Sequence, residues 1–286
     1  MSAIMPPRTG SAKKRSTEQY IFYAALLVLA FIAVAPLAVL VFNSLKTSVE
    51  FGRNPLGIPT NPQFGNFREA WNRGDYQISI RNSLIYSLAT ALGVCVISGL
   101  AAYSLSRLNV RGGNLLIAYL FMGITIPPQL YVIPLFSLWV RFDLIDSRIG
   151  LIIIYWAIFS PFATLLLRSY MLSLPRELED ASRVDGANEL QTLLRIVLPL
   201  ALPGLMVVAL VSFLMSWNEF FFAITFIQSD ALKPVTISFL AFQGRFDTNW
   251  GLTSAAGIIV ILPVMLLFLL LQRRFISGLT AGALKG

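Results

Sequence analysis

The sequence comprises 286 residues, 56% hydrophobic and only 13% charged, with a net charge of +8, one cysteine and no histidine. Soluble domains carry about a quarter charged residues, so this composition places the chain in a bilayer; the basic residues flank apolar stretches without forming a patch interleaved with aromatics, which argues against a nucleic-acid face. The absence of histidine removes His-based acid/base catalysis, Ser-His and Cys-His nucleophiles and His-ligated metal sites.

In chain order, Arg8, Lys13, Lys14 and Arg15 precede a long apolar run with no small-residue cleavage site, which reads as a retained first helix and not as a leader. Apolar stretches near the roughly 20 residues that cross a hydrocarbon core are then Tyr20 to Phe42, Ser83 to Leu105, Leu115 to Val140, Ile149 to Leu172, Gly204 to Ile227 and Leu252 to Leu271. The predicted fold is an all-α membrane protein of six transmembrane helices. Cys95, inside the second stretch, forms no intrachain disulfide and reads as packing. With the N-terminus inside, thirteen of the 22 basic residues fall on the cytoplasmic side, and the long outer loop from Lys46 to Arg81 weighs little in orientation. Both termini are therefore expected in the cytoplasm, as tails 1–19 and 273–286 around a permease domain 20–272. Pro55, Pro59 and Pro62 give the outer loop the composition of a surface connection and not of a folded domain. Prolines interrupt several spans, above all Pro127, Pro128 and Pro134 in the third. Each removes a backbone donor, which fits either helices around an internal cavity or ordinary kinks.

Between the fourth and fifth spans, Pro175 to Pro199 is the longest charged stretch on the cytoplasmic side. Pro175 suits a first helical position, with Glu177, Glu179 and Asp180 in turns where the helix dipole favours acid. Gly186 suits the stop. Asn188 with Gln191 approximates a capping box for a second helix, and Leu190, Leu193, Leu194 and Val197 form one apolar face. The spacing predicts a helix-turn-helix at 173–200. Ala181, Ser182, Gly186 and Ala187 would let another surface approach closely. Such a hairpin is too small to fold alone; it packs either on a partner or on the helix ends of its own chain.

This stretch resembles the cytoplasmic signature of ABC importer permeases: Asp180-Ala181-Ser182, Gly186, Ile196, Leu198 and Pro199 keep the family's spacing, with Asp180 in place of Glu and Ser182 in place of Ala. The likeness extends over nearly the whole chain and is nearest the maltose-type carbohydrate permeases, through Asn82-Ser83, Ala101-Ala102-Tyr103 with Arg107, Trp217-Asn218-Glu219, and the ending from Gly278 to Gly286. The resemblance implies a non-enzymatic transport subunit for a sugar or sugar-like solute in the bacterial inner membrane. It also implies a second homologous permease, two cytoplasmic ATPase subunits that carry the ATP and magnesium, and an extracytoplasmic solute-binding protein met by the segment Gln228 to Trp250. On this reading 173–200 is the coupling loop, with Asp180, Ala181, Ser182, Asp185, Gly186, Ala187, Leu198 and Pro199 as its ATPase-facing residues and Glu179 as a solvated acid. The tail Thr280 to Gly286, disordered by composition, would reach the ATPase interface.

No phosphate-cradling glycine loop followed by Lys-Ser/Thr is present, so the ATPase is expected on another chain. Candidates for the translocation path are Gln129 and Tyr131 by the broken third span, and Asn218 and Glu219 in the fifth. A buried glutamate lines a path or pairs with a neighbouring helix. The competing class is a secondary transporter or channel driven by an ion gradient, which needs a relay of buried ionisable groups; Glu219 is the one clear acid at depth. A Ser-Lys hydrolase would need a mid-span lysine, and none is visible.

Overall fold

A computed structural model describes residues 11–108, 110–243 and 249–283. Regular structure among them is helical throughout. α1 covers Ser11–Ser44, and the short helices α2 (Ser48–Arg53) and α3 (Gly65–Arg73) lead to the 32-residue α4, Tyr76–Arg107. α5 (Gly113–Thr125), a 3-10 turn at Pro128–Leu130, and α6 (Val132–Arg141) precede α7 (Arg148–Leu172). α8 (Glu177–Val184) and α9 (Glu189–Thr192) follow, and α9 continues through a π-helical turn, Leu193–Val197, into α10 (Leu198–Asn218). Then come α11 (Phe221–Phe226), α12 (Val235–Ser238) and α13 (Trp250–Ala283).

Among the described residues, five helices are long and apolar enough to cross a membrane: Gln19–Ser44, Tyr76–Arg107, Arg148–Leu172, Glu189–Asn218 and Trp250–Leu270. The third expected span is instead divided between two shorter apolar helices, α5 and α6. Pro127 and Pro128 are the cause: neither has an N–H to donate, and the residue before a proline is pushed out of the helical region, as Ile126 is at ψ 120°. The fifth stretch starts earlier than expected and breaks at Glu219. α13 is helical through Ala283, across a tail expected to be disordered, whereas residues 1–10 and 284–286 lie outside the described residues.

The chain forms two compact units. The first comprises the described residues of Met1–Ala70 and Phe246–Ile258. Its buried centre is Lys46, 1% exposed, whose Nζ donates to Asn43 Oδ1 at 2.9 Å and to the Asn54 carbonyl at 2.8 Å. A buried ammonium is tolerated only with such acceptors. Asn66 Nδ2 donates to the carbonyls of Ser44 and Lys46, and Phe51 stacks on Trp250 at 5.2 Å. A Cβ at position 251 would stand 2.2 Å from the Lys46 carbonyl, so Gly251 is required there. The segment after Lys46, expected as a bare surface connection, is therefore folded in its first half.

The second unit comprises the described residues of Trp71–Arg245 and Ile259–Gly286. Within it α4 packs along α7 and α10, and α5 along α7. The buried stripe of α4 is Tyr76, Ser79, Ser83, Ser87, Thr90, Val94, Ser98 and Ala102, mostly small residues three or four apart. In a bilayer, where apolar burial gives helices no net drive to associate, small residues allow the close contact that holds them together. Gly93 meets the Trp156 ring so closely that a Cβ would fall 2.1 Å from it.

Candidate functional site

Pro175 to Pro199 folds as two helices around a glycine turn. α8 begins at Glu177, so Pro175 stands ahead of the helix and not at its first position. Glu177, Glu179 and Asp180 occupy the first turn, where unpaired N–H groups favour negative charge. Gly186 has φ +85°, a left-handed conformation that costs a side-chain-bearing residue about 1 kcal/mol or more. A complete capping box starts the second helix: Asn188 Oδ1 accepts from the Gln191 N–H and Gln191 Oε1 from the Asn188 N–H, both at 2.9 Å. Pro199 offers no N–H to the Arg195 carbonyl, and the preceding turn widens so that the Leu198 N–H donates to the Leu193 carbonyl.

Asp180, Ala181, Asp185, Gly186 and Pro199 are exposed, while Ala187 and Leu198 are half-buried. Ser182 departs from expectation, being buried with Oγ donating to the Glu179 carbonyl at 2.8 Å and lying 3.0 Å from Thr192 Oγ1. It ties α8 to α9. The predicted apolar face also divides, since Leu193 and Val197 are buried but Leu190 and Leu194 are exposed. Val184, beside the turn, is 88% exposed.

Glu179, expected as a solvated acid, is 3% exposed and lies 2.8 Å from Arg107 Nε at the end of α4. Two charges leave water together only when each compensates the other. The Nε–H points off the line to the carboxylate, which makes the contact mainly coulombic; Arg107 Nη2 donates to the Leu174 carbonyl at 2.9 Å, and Nη1 has no hydrogen-bond partner among the described residues. One turn earlier on α4, Tyr103 donates its hydroxyl to Glu189 Oε2 at 2.7 Å. Arg183 bridges Asp180 at 3.0 Å and Glu189 at 3.1 Å, and its hydrogen bonds to Glu189 raise its pKa above the ordinary arginine value. Both hairpin helices are thus pinned to one end of α4.

The other end of α4 holds a different segment. Asn82 Nδ2 donates to the carbonyls of Ala231 (2.9 Å) and Lys233 (3.1 Å), and its Oδ1 accepts from Arg148 Nη2 at 3.0 Å. Tyr86 donates to the Leu232 carbonyl at 3.0 Å, and Ser83 Oγ accepts from the Val235 N–H at 2.9 Å. Nearby Asp146, at φ 52°, accepts from the Ser229 and Gln228 N–H groups and from Ser229 Oγ. The Ser229 amide, foremost among these donors, holds the Asp146 carboxyl below the usual aspartate value. A cavity of about 640 Å³ beside this segment carries Arg73, Asp75, Asp230 and Lys233 in its lining. In the sequence, Asn82-Ser83 stands out only through the family resemblance, and nothing marks Asp146.

Of the path candidates, Gln129 and Asn218 are exposed, and Asn218 donates to the Leu214 carbonyl of its own helix. Tyr131 stacks with Phe222 at 6.1 Å. Glu219 follows α10 and starts α11: its carboxylate accepts from the Phe222 N–H (2.9 Å), the Ala223 N–H (3.0 Å) and the Tyr155 hydroxyl (2.8 Å). The acid at depth is an interhelical anchor. Tyr131 and Glu219 meet at α11.

Residues 95–280 match the family described as binding-protein-dependent transport system inner membrane component. Over 248 residues, 86% of this chain and 87% of the relative, the sequence is 34% identical to the sulfoquinovosyl glycerol transport system permease protein of Agrobacterium fabrum. It is 32% identical over 252 residues to the melibiose/raffinose/stachyose import permease protein of Bacillus subtilis, covering 88% of this chain and 91% of that one. The fold is similar to a chain of a bacterial ABC transporter that imports the acidic polysaccharide alginate, with a TM-score of 0.77 at 22% identity over 95% of this chain and 100% of that chain. With the matched region and the relatives each spanning most of its length, the chain belongs to the family of binding-protein-dependent transport system inner membrane components and is a transport subunit, not an enzyme.

Proposed function

We propose that this chain forms half of the membrane pathway of an ATP-driven importer for a sugar or sugar-like solute, and that its α8–α9 hairpin is the element gripped by a cytoplasmic ATPase subunit. A second homologous permease, a second ATPase and an extracytoplasmic solute-binding protein complete the assembly, with ATP and magnesium on the ATPases. The carbohydrates in the relatives' names support the solute class. In this reading α5 and α6 together make the third of six crossings, both termini are cytoplasmic, and Gln228 to Trp250 faces the binding protein. The apolar window of α1 within Gln19–Ser44, which has no buried residue, is a face for lipid or for the partner permease.

The observation that carries the proposal is the form of the hairpin. Glu179 and Glu189 anchor it to α4 while Asp180, Ala181, Val184, Asp185 and Gly186 remain outward. A rigid, anchored projection transmits motion, whereas a mobile loop absorbs it. Exposed Asp180 remains available to a basic ATPase residue, and Ala181 permits close approach. Ser182 serves the hairpin interior, and Leu198 with Pro199 shape its return into α10.

Gly186 supplies the test, because a Cβ there meets nothing within 4 Å. Bulk at this position is felt by a partner and not by the chain itself. Detergent co-purification should recover ATPase subunits with the wild type and mostly with Gly186→Ala, which bears a backbone cost of about 1 kcal/mol, but lose them with Gly186→Trp while the partner permease is retained. Equal ATPase recovery with Gly186→Trp would contradict the proposed grip.

A further inference from the structure

We infer that α4 is a strut that carries movement of the hairpin to the segment Gln228 to Val235 at its opposite end, with Tyr103 and Arg107 as positioning residues at one end and Asn82, Ser83 and Tyr86 at the other. The inference rests on the function proposed above and adds a route for the coupling.

At both attachments the α4 side chains have left solvent, as has Glu179, whereas Glu189 keeps about half of its side chain exposed. Arg107 meets Glu179 of α8 and Tyr103 meets Glu189 of α9, so the two hairpin helices are held to one helix at two points and cannot pivot independently. Asn82, Ser83 and Tyr86, each about 1% exposed, seize four backbone groups of the opposite segment: the carbonyls of Ala231, Leu232 and Lys233, and the amide of Val235. Asn82 also accepts from Arg148 at the start of α7, and Asp146 holds Gln228 and Ser229 from the same turn. Opening either attachment would strand buried polar groups, which is costly, so each end moves with its helix.

Between the attachments α4 is continuous and contains no proline. At about 1.5 Å per residue it separates Asn82 from Arg107 by about 37 Å. Trp156 braces its middle, with Nε1 donating to the Ala89 carbonyl at 2.9 Å and its ring against Gly93. A packed helix of this kind shifts as a unit, because close-packed interiors deform little. The segment it would move bears the charged cavity lined by Asp230 and Lys233. ATP-driven displacement of the hairpin would thereby reposition the face proposed to meet the solute-binding protein.

The test is hydrogen exchange in the complete purified complex, with and without ATP plus orthovanadate, following peptides from the hairpin and from 228–236. In the wild type, nucleotide trapping should change exchange at both, the distant segment by at least about fivefold. Glu179→Gln should keep the hairpin response and reduce the distant one to less than about twofold, while nucleotide-free exchange of 228–236 stays at the wild-type level, as it would not if the variant merely loosened the fold. Where Glu179→Gln fails to assemble, Tyr103→Phe removes a single hydroxyl from the same attachment and should at least halve the distant response. A distant response that survives either assembled variant unchanged, or that is missing in the wild type although the hairpin responds, overturns the strut and leaves the importer reading intact. A wild-type complex without ATPase, or a hairpin indifferent to nucleotide, overturns the importer reading itself.

Discussion

At the scale of single residues, the hairpin is held by Arg107 and Glu179, a pair with no exposed charge to spare. Removing one member leaves the other as an uncompensated buried ion, at a cost of about 3–5 kcal/mol, whereas replacing both with apolar groups is far milder. Arg107→Met should therefore lower the thermal stability of the detergent-purified chain sharply, and Arg107→Met/Glu179→Leu should recover most of the loss; equal destabilisation by the single and double variants would contradict the pairing. Asp146 gives a pH-dependent counterpart. Its carboxyl is depressed by the Ser229 and Gln228 amides, so the stabilisation is present above the ordinary aspartate value of about 4 and is lost as pH falls through the lower folded-state value. Protection of those two amides, corrected for intrinsic exchange, should fall across that acidic window, and Asp146→Asn should remove the pH dependence. Neither arrangement is legible in the sequence. Acids in a first helical turn ordinarily face solvent, so Glu179 reads as solvated; Arg107 stands far away in the chain, and no local spacing joins them. Lys46 reads as an outer-loop charge for the same reason, since its acceptors are a side chain and a backbone carbonyl contributed by chain folding.

At the scale of elements, the local rules were legible where they are chemical and short-ranged. Gly186 adopts the left-handed turn and Asn188 with Gln191 forms the capping box. Pro127 and Pro128 mark the place of a break, but whether prolines kink a span or divide it depends on what surrounds the freed carbonyls. The fifth span was the least legible. A hydropathy window runs smoothly across Glu219 because Trp217 and Phe220 flank it, and only Tyr155 on α7 and the first amides of α11, which have no acceptor within their own helix, explain why the helix stops there. Glu219→Ala should destabilise by about 2–4 kcal/mol, the loss of the two amide contacts at the start of α11 together with the stranding of the buried Tyr155 hydroxyl. Glu219→Gln keeps a neutral acceptor and should retain solute uptake. Abolished uptake in a folded Glu219→Gln subunit would instead assign the carboxylate a charge-carrying role, as an ion-driven carrier requires.

At the scale of the whole molecule, the class was set by composition: few charges, no histidine, and long apolar stretches bordered by basic residues. The family was legible because its marks are spread over the chain, and several of them prove to be contact points, with Asn82, Ser83, Tyr103, Arg107 and Glu219 each engaged far along the sequence. The folded unit around Lys46, Asn66, Phe51 and Trp250 escaped the sequence, since it joins segments nearly a chain length apart and uses turn-rich composition that elsewhere means a plain loop. The central claim is that transport through this subunit is driven by ATP on a partner and not by an ion gradient. Right-side-out membrane vesicles carrying the complex and its binding protein, offered labelled sugars that the purified binding protein retains, test it directly. Uptake should require ATP inside the vesicle and persist when ionophores collapse the ion gradients; uptake that follows the gradient in vesicles without ATP would contradict the account.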